Sequence, residues 1–278
     1  MKVPTLVTPE QFLSLKNDAE NGNLDAQLFA AWVYDNGIGV QVDKKEAFRW
    51  YRMAAEQGDS DAQYSLASLY YIGEGVETNY LESLHWLHLS ANQGKVEAQF
   101  NLGVMYGAGE VVEQNLKEAV RWMRMAAEQG LADAQIAFGM MYDDGKGVEE
   151  NPQEALRWYR LAAKQKNMYA QSLVAIMYDQ GRGVKQNKKK AMKWYRLSAE
   201  QGNSYAQYPL ATIHYVGDGI KQSFEQAYFW FILADEFGHP DAAEYKEKLD
   251  NKCGPKTKAK VYAKVQKWLK KKGFQPKI

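Results

Sequence analysis

The feature that most constrains this chain is a short motif that returns at a fixed interval. An Ala-Gln pair recurs every 36 residues along most of the sequence. The six pairs are Ala26-Gln27, Ala62-Gln63, Ala98-Gln99, Ala134-Gln135, Ala170-Gln171 and Ala206-Gln207. A seventh step reaches Ala242, where Ala243 replaces the Gln. A period of this size is typical of a solenoid, in which each unit covers the apolar face of its neighbour.

Each period predicts two helices joined by a glycine loop. In the first period we expect helix A over about residues 25–35 and helix B over about residues 44–57. The loop carries Gly-x-Gly followed by Val or Ile, and its glycines suit a helix end and a sharp turn. Three residues further comes a residue type that caps a helix N-terminus. These caps are Asp43, Asn79, Asn115, Asn151, Asn187 and Ser223.

Helix B carries a Trp at the same interval, with Ala or Ser three residues before it. The small residue lets two helices approach closely, and the Trp fills the space between layers. The six Trp residues are Trp50, Trp86, Trp122, Trp158, Trp194 and Trp230. We therefore interpret the repeated residues as caps, turns and core rather than as a ligand site.

The combined pattern resembles the Sel1-like repeat, a relative of the tetratricopeptide repeat with a slightly longer unit. The shared features are Ala-Gln, a Tyr eight residues after the Ala, Gly-x-Gly-Val, Asn or Asp, Ala-x-x-Trp and Ala-Glu-Gln-Gly, over about residues 9–250. The resemblance implies an all-α fold, a right-handed superhelical solenoid of six 36-residue helix-turn-helix repeats with N- and C-terminal capping helices. It also implies a concave face lined mainly by helix A, and a role as an adaptor.

The repeat register divides the chain into three parts. Residues 1–22 match only the second half of a repeat and predict an N-terminal capping helix. The residues that open this helix are Thr8, Pro9 and Gln11. Residues 23–238 hold the six repeats, and residues 239–278 predict C-terminal capping helices with a basic tail.

Charge is distributed unevenly along the sequence. Ten Lys and no acid follow Asp250, which leaves residues 1–250 with 25 basic side chains against 34 acidic ones. Such a profile excludes a nucleic-acid-binding surface over most of the chain. The tail predicts a helix that packs on the last repeat and exposes Lys, and a weak contact of these Lys residues with an anionic partner is the alternative. Its apolar positions are Val261, Val265, Trp268 and Leu269.

The chain shows no sign of an oxidising compartment or a membrane anchor. Cys253 is the only cysteine, which excludes an intrachain disulfide. The first residues lack the apolar run and cleavage site of a signal peptide, and no run of about 18 apolar residues predicts a membrane span. We therefore expect a cytoplasmic protein, and export without an N-terminal signal stays open.

Three positions depart from the repeat. Val111 replaces the second loop glycine of the third repeat, so we expect that loop to be altered. Lys166 replaces the turn glycine between the fourth and fifth repeats. Pro209 falls inside the sixth helix A, and because proline has no N–H we predict a kinked or delayed start. A regular helix from Ser204 onward would contradict this prediction.

Catalytic motifs are absent from the sequence. The Gly-x-Gly-Val loop follows a helix rather than a strand, which argues against a nucleotide-binding loop. Glu82, His85 and His88 share one helix face, but two imidazoles and a distant carboxylate are too few for a metal site. His214 replaces the Tyr of helix A and is interpreted as structural. We therefore predict a protein without a metal, a cofactor or an enzymatic activity.

Candidate binding residues lie where the repeats differ from one another. Positions two, six and nine residues after the motif Ala share one face of helix A. Aromatic and apolar side chains there predict a groove for a protein or peptide segment. They are Trp32, Tyr64, Tyr71, Phe100, Met140, Tyr208 and Tyr215. Asp143, Asp144 and Asp179 add a negative patch that favours a basic partner segment. Alternatively, these side chains pack between neighbouring A helices.

Three functions follow as hypotheses. The first is a non-catalytic scaffold or adaptor that binds a protein or peptide segment on its concave face. The second is a dedicated inhibitor or immunity-type partner of one toxin or effector protein. The third is a β-lactam-binding or β-lactam-hydrolysing enzyme, as some cysteine-rich relatives with this repeat are described. Those relatives depend on paired cysteines, which a chain with a single Cys lacks.

Overall fold

The computed structural model of the protein describes residues 9–275, with side chains over residues 12–275. This part of the chain contains fifteen α-helices and no strand, which confirms the all-α class. None of these described helices combines the length and the apolar character that crossing a bilayer requires. The chain divides into two compact units, Met1–Gln129 and Gly130–Ile278.

The helices follow the predicted alternation. The first unit contains α1 (Pro9–Glu20), α2 (Leu24–Asn36), α3 (Lys44–Glu56), α4 (Ser60–Ile72), α5 (Tyr80–Asn92), α6 (Val96–Ala108) and α7 (Leu116–Glu128). The second unit contains α8 (Ala132–Asp144), α9 (Pro152–Lys164), α10 (Met168–Gln180), α11 (Lys188–Ala199), α12 (Ser204–Val216), α13 (Phe224–Glu236), α14 (Ala242–Lys252) and α15 (Pro255–Lys272). From α2 to α13, even numbers are the A helices and odd numbers the B helices of six repeats.

The predicted caps set the start of each B helix. In all six repeats the N-cap side chain accepts a hydrogen bond from a backbone N–H of the first turn. Asp43 Oδ1, for example, accepts from the N–H groups of Lys45 and Glu46 at 3.0 and 3.1 Å. These bonds satisfy donors that a helix start otherwise leaves unpaired. Helices α2 and α3 accordingly lie within one residue of their predicted bounds.

The repeated apolar residues form the core. Each motif Ala is at most 5% exposed, and Ala242 at the seventh step is fully buried. Trp50 and Trp122 are at most 1% exposed, and Trp158 and Trp230 are also buried. The equivalent Trp residues of α5 and α11 are only half-buried. The predicted core role of the Trp therefore holds fully in four repeats and partly in two.

The motif Gln has a structural role that the sequence analysis did not assign. Gln63 is 4% exposed, and its Nε2 donates to the carbonyl of Ala55 at 3.2 Å. Its Oε1 accepts from Nε2 of Gln93 at 2.8 Å, and that nitrogen also donates to the carbonyl of Gly58 at 2.9 Å. The amide of the buried Gln63 therefore has hydrogen-bond partners, and it links the end of repeat 1 to repeat 2. The same Gln–Gln pair recurs as Gln57–Gln27, Gln129–Gln99, Gln165–Gln135 and Gln201–Gln171.

The second loop glycine marks a close approach between neighbouring repeats. A Cβ on Gly75 would lie only 2.1 Å from the carbonyl oxygen of Lys44, and the φ of Gly75 is +74°. Lys166 is the one described residue other than glycine with a positive φ, at 66°, so Val111 does not adopt this conformation. The third loop is therefore altered, as predicted. Lys166 itself takes the left-handed conformation of the turn glycine that it replaces.

The prediction of a kinked or delayed start at Pro209 is wrong. Helix α12 begins at Ser204 and has the same length, 13 residues, as each of the other A helices. The carbonyl that loses its partner belongs to Tyr205, whose residue is 64% exposed, so water can satisfy it. Leu210 and Ala211 are fully buried and hold the helix in place. Packing therefore outweighs the missing hydrogen bond.

Replacing Pro209 with Ala is expected to stabilise the second unit by about 1–2 kcal/mol. The new N–H restores the bond to the Tyr205 carbonyl, and the greater freedom of the unfolded chain offsets part of the gain. Urea denaturation followed by circular dichroism measures the change. Ala137→Pro, at the same position of repeat 4, is the matched control and should destabilise. An unchanged or lower midpoint for Pro209→Ala would show that the proline costs nothing.

The ends of the described chain are covered by helices. Thr8 and the side chains of Pro9 and Gln11 lie outside the described residues, so the predicted opening of the first helix stays a prediction. Helix α1 packs on α2 through Leu15 and the fully buried Ala19. At the other end, α15 turns its apolar side towards the core of the second unit. Its buried side chains are Val261, Val265 and Leu269, and Trp268 is half-buried.

Candidate functional site

An apolar groove lies between repeats 2 and 3, within the first unit. It has a volume of about 310 Å³, and we call it the α4–α6 groove. Helix α4 supplies one wall, α6 the opposite wall and α5 the base. Its lining includes Ser68, Tyr71, Ile72, Leu87, Asn101 and Val104. The groove runs beside the C-terminal halves of two A helices.

Large apolar side chains are exposed around this groove. Tyr71 is 45% exposed, Ile72 63% and Val104 46%. At the start of α5, Tyr80 is 48% exposed, and Leu81, which lies on a different face of this helix from Ser83 and Leu87, is 78% exposed. The rings of Tyr71 and Tyr80 lie 5.4 Å apart. A contiguous apolar surface of this kind marks an interaction site more often than a scattered one does.

The base of the α4–α6 groove is a well-packed core. Ala67, Leu87, Leu102 and Trp122 belong to one apolar cluster, and each is at most 3% exposed. The hydroxyl of Ser83, on α5, donates to the carbonyl of Ala67 at 2.8 Å, which satisfies this buried polar group. The groove therefore presents an ordered apolar surface to solvent rather than a site for polar chemistry.

Among the sequence-predicted residues of the first unit, Tyr71 lines the groove. Tyr64 and Phe100 lie on the two wall helices, outside the lining, and are half-buried. The hydroxyl of Tyr64 accepts a hydrogen bond from Nδ2 of Asn101 at 3.4 Å. Nζ of Lys95 lies 5.9 Å from the centre of the Tyr64 ring. Tyr64 therefore supports the wall of the groove more than it faces solvent.

Trp32 and Met140 lie on other A helices. Trp32 is half-buried on α2, with its ring 5.9 Å from the ring of Phe29. Met140 is 48% exposed on α8 in the second unit. Neither residue lines the α4–α6 groove. Their predicted contact with a partner stays a prediction.

Sequence reasoning missed Ile72 and Asn101 as residues that line the groove, and Tyr80 and Leu81 as exposed apolar residues at the start of α5. Tyr80 and Leu81 begin helix B, whereas the resemblance implies a binding face lined mainly by helix A. A signal was present, because Leu81 is apolar at a position that is otherwise charged or polar. The equivalent residues are Lys45, Lys117, Gln153, Lys189 and Glu225. An apolar residue at an exposed polar position is therefore as informative as a variable residue on helix A.

The three predicted carboxylates are engaged in ion pairs. Oδ1 of Asp143 lies 3.3 Å from Nε of Arg182. Burial raises the pKa of the Asp143 carboxyl, and the positive charge of Arg182 opposes that rise. The other two pairs are Asp144 with Lys146 at 2.9 Å and Asp179 with Lys188 at 2.8 Å. Neighbouring cations thus offset the predicted negative patch, whose preference for a basic partner stays a prediction.

Tyr208 and Tyr215 pack inside the second unit. Tyr208 stacks on His239 with ring centres 4.2 Å apart and planes 4° apart. Tyr215 meets the ring of Tyr245 edge-on at 5.8 Å. Both predicted residues are half-buried, and burial raises the pKa of the Tyr208 hydroxyl. Helix α14 covers these two side chains.

The imidazoles singled out in the sequence take part in packing. Nε2 of His88 lies 3.0 Å from the hydroxyl of Tyr106, and burial lowers the pKa of this imidazole. Glu82 accepts a hydrogen bond from the indole N–H of Trp86 at 3.2 Å. His214 is 7% exposed, and burial lowers the pKa of its imidazole too. Over residues 12–275, no three His, Cys, Asp or Glu side chains are grouped as a metal site requires.

The helix pairs seen in the structure correspond to the repeats of a known family. A family model described as Sel1 repeat matches six segments of the chain. They are residues 24–59, 60–95, 96–131, 132–167, 169–203 and 204–234. No curated protein sequence matches the chain.

Solved structures that resemble this chain come from several bacteria. The protective antigen c5321 of uropathogenic Escherichia coli is 35% identical with a TM-score of 0.84, over 94% of this chain and 56% of the antigen. A Sel1 repeat protein from Oxalobacter formigenes is 32% identical with a TM-score of 0.67, over 81% of this chain and 87% of that protein. The immunity protein PA5088 of Pseudomonas aeruginosa is 20% identical over 86% of this chain and 85% of its own, with a TM-score of 0.46, which is too low to bear on function. The chain thus spans little more than half the length of the E. coli protein.

Proposed function

The chain belongs to the Sel1 repeat family, and from this premise we propose that it is a non-catalytic scaffold that binds a segment of another protein. The binding surface is the face lined by the A helices, which the repeat pattern predicts to be concave. The observation that carries the proposal is the α4–α6 groove, where Tyr71, Ile72 and Val104 are exposed beside a pocket. Aromatic anchors in pockets of this kind supply most of the energy of a typical protein interface.

The remaining predicted residues have graded roles in this proposal. Tyr71 contacts the partner directly. Tyr64 and Phe100 stiffen the two walls, since both are half-buried on the helices that form them. Trp32 extends the surface of the first unit on α2, Met140 is a separate exposed position on α8 of the second unit, and Tyr208 and Tyr215 hold the C-terminal helices in place. Binding energy is therefore concentrated near repeats 2 and 3.

Cross-linking mass spectrometry in a lysate of the native source tests the proposal. We expect partners of the wild-type protein to cross-link near α4 and α6, and Tyr71→Ala to lose those partners while keeping its helical content. The double variant Tyr64→Ala with Phe100→Ala should weaken the same cross-links. Tyr169→Ala is the matched control, because Tyr169 is a 58% exposed A-helix residue outside the groove. Unchanged partners for a folded Tyr71→Ala protein would refute the proposal.

The same experiment separates a general adaptor from a dedicated inhibitor. An adaptor cross-links to several proteins, whereas an inhibitor or immunity-type protein cross-links to one. The number of partners that depend on Tyr71 therefore decides between these two forms of the scaffold.

The basic C-terminal helix offers a second, weaker contact in this proposal. Lys260 and Lys264 of α15 both pair with Glu225, at 2.8 and 2.5 Å, and so belong to the packing of the cap. Lys256, Lys267 and Lys270 are exposed and can meet an anionic partner. We expect such a contact to weaken steeply with added salt, because exposed charges are screened.

A further inference from the structure

Two repeat junctions are joined by a three-residue charge clip. Nζ of Lys44, at the start of α3, lies 2.8 Å from Asp35 and 3.0 Å from Glu74 of the following repeat. The same arrangement, at the same repeat positions and distances, consists of Asp179, Lys188 and Asp218. In each clip one Lys holds an acid at the end of its own helix A and an acid of the next loop.

Tyrosines replace the clip between repeats 2 and 3. Tyr71 stands where Asp35 stands one period earlier, and Tyr80 stands where Lys44 stands. Glu110, the counterpart of Glu74, consequently has no Lys at its junction. The junction exchanges an ion pair for an exposed aromatic pair and leaves one carboxylate without its cation.

Repeat 6 shows how the fold covers the same aromatic pair. There the two positions hold Tyr215 and Phe224, with rings 5.6 Å apart. Helix α14 lies over them. Its Tyr245 packs edge-on against Tyr215 at 5.8 Å, and Nζ of Lys252 lies 5.4 and 5.1 Å from the centres of the two rings. An aromatic side chain and a cation on one helix therefore complete this site, with the cation attracted by the ring faces.

Helix α6 takes the place of α14 at the junction of repeats 2 and 3, but it carries smaller side chains. Four periods before Tyr245 stands Asn101, and four periods before Lys252 stands Ala108. Asn101 lines the α4–α6 groove and donates its hydrogen bond to Tyr64. The groove thus occupies the place where repeat 6 holds an aromatic ring and an ammonium group.

The surroundings of the groove are strongly acidic. Residues 53–116 contain nine acidic side chains and one basic residue, Lys95, which already pairs with Asp61 and Glu97. The loops that follow α4 and α6 carry four carboxylates. They are Glu74, Glu77, Glu110 and Glu113. Within the described residues, only Glu74 among them forms an ion pair, with Lys44. The C-terminal ends of α4 and α6 add partial negative charge at the same edge.

We propose that the α4–α6 groove takes a basic segment of another protein that presents an aromatic anchor with Lys or Arg one or two helical turns away. The anchor fills the groove beside Tyr71, and the cation lies over the Tyr71–Tyr80 pair within reach of Glu110. This inference rests on the proposed function and specifies the chemistry of its partner. A typical interface has an apolar centre and a polar rim with complementary charges.

A synthetic peptide tests this chemistry without a known partner. The Lys peptide is an eleven-residue amidated copy of α14 in which Ala replaces the three acids and Tyr and Lys keep their spacing. Its Glu twin has Glu in place of each Lys. We expect the Lys peptide to bind the full chain about tenfold more tightly than the Glu twin at low salt, as fluorescence anisotropy measures it. Equal binding of the two peptides, or binding of neither, would overturn the inference.

Two variants connect the binding to the groove. Tyr71→Ala should weaken the Lys peptide about tenfold by removing the aromatic contact. Asn101→Tyr restores the side chain that fills the site in repeat 6, and it should block the peptide while leaving the protein folded. Tyr169→Ala should bind as the wild type does. Binding that is unchanged in a folded Asn101→Tyr protein would place the peptide elsewhere and overturn the inference.

The two proposals fail in different ways. If Tyr71→Ala loses its cross-linked partners but the peptides show no charge preference, the partner chemistry is wrong and the scaffold function stands. If the cross-linked partners do not depend on Tyr71, the scaffold function fails at this groove, and a Lys-peptide preference would then report only general attraction to an acidic surface. The Asn101→Tyr variant identifies that case, because it leaves the surface charge unchanged.

Discussion

Gly183→Val is expected to destabilise the second unit by about 3–5 kcal/mol. Gly183 has a φ of +66°, and a Cβ there would lie 2.4 Å from the carbonyl oxygen of Pro152. Neither atom can rotate away, since the carbonyl oxygen belongs to the backbone and the backbone fixes the position of the Cβ. The loop must either strain or move off the preceding B helix. Val111 occupies the same loop position in repeat 3 without the left-handed conformation, which shows that a side chain there goes with a different loop.

Urea denaturation of matched variants measures this effect. Gly238→Val is the control, because Gly238 has a φ of +82° but no described neighbour within 4 Å of the position that a Cβ would take. That variant carries the cost of a left-handed residue alone, about 1–2 kcal/mol. Similar midpoints for the two variants would mean that the close approach to Pro152 contributes nothing. The fold would then depend on loop conformation rather than on contact between repeats.

Trp122→Ala is expected to destabilise the first unit by about 3–5 kcal/mol. Trp122 is 1% exposed and belongs to the cluster with Leu87 and Leu102 beneath the α4–α6 groove. Removing the indole leaves a cavity there, so the Lys peptide should also bind less tightly. Trp86 occupies the same motif position but is half-buried, and we expect Trp86→Ala to cost about half as much.

A conservative variant separates the packing of the Trp122 ring from the effect of its buried N–H group. The indole N–H of Trp122 is buried without a hydrogen-bond partner in the described structure. Trp122→Phe removes that group, so it should cost much less than the Ala variant. Equal losses for Phe and Ala would indicate that the indole nitrogen carries the stability and that the cavity argument is wrong. Chemical denaturation of the three proteins side by side gives the comparison.

Most of the fold could be predicted because its determinants are local. Caps such as Asp43 and left-handed glycines such as Gly37 act within one turn of their own helix. Pro209 was misjudged because its effect depends on tertiary packing. The buried Leu210 and Ala211 hold α12 regular, and no local rule reports their burial.

The candidate site could be predicted only in part, because its character depends on residues one period apart. Tyr71 was identified from its position on helix A. The pairing of Asp143 with Arg182 joins residues 39 positions apart, so the sequence indicated a free negative patch where the structure has an ion pair. The small size of Asn101 likewise matters only because the stacking of repeats 2 and 3 places this residue in the lining of the groove.

Hydrogen–deuterium exchange of the full chain, with and without the Lys peptide, tests the central claim most directly. The peptide should slow amide exchange in the C-terminal halves of α4 and α6 and at the start of α5, around Tyr71, Val104 and Tyr80. Exchange in the second unit should stay unchanged, and Asn101→Tyr should abolish the protection. Peptide binding that leaves exchange at α4 and α6 unaltered, or that protects only the second unit, would contradict the assignment of the α4–α6 groove as the docking site.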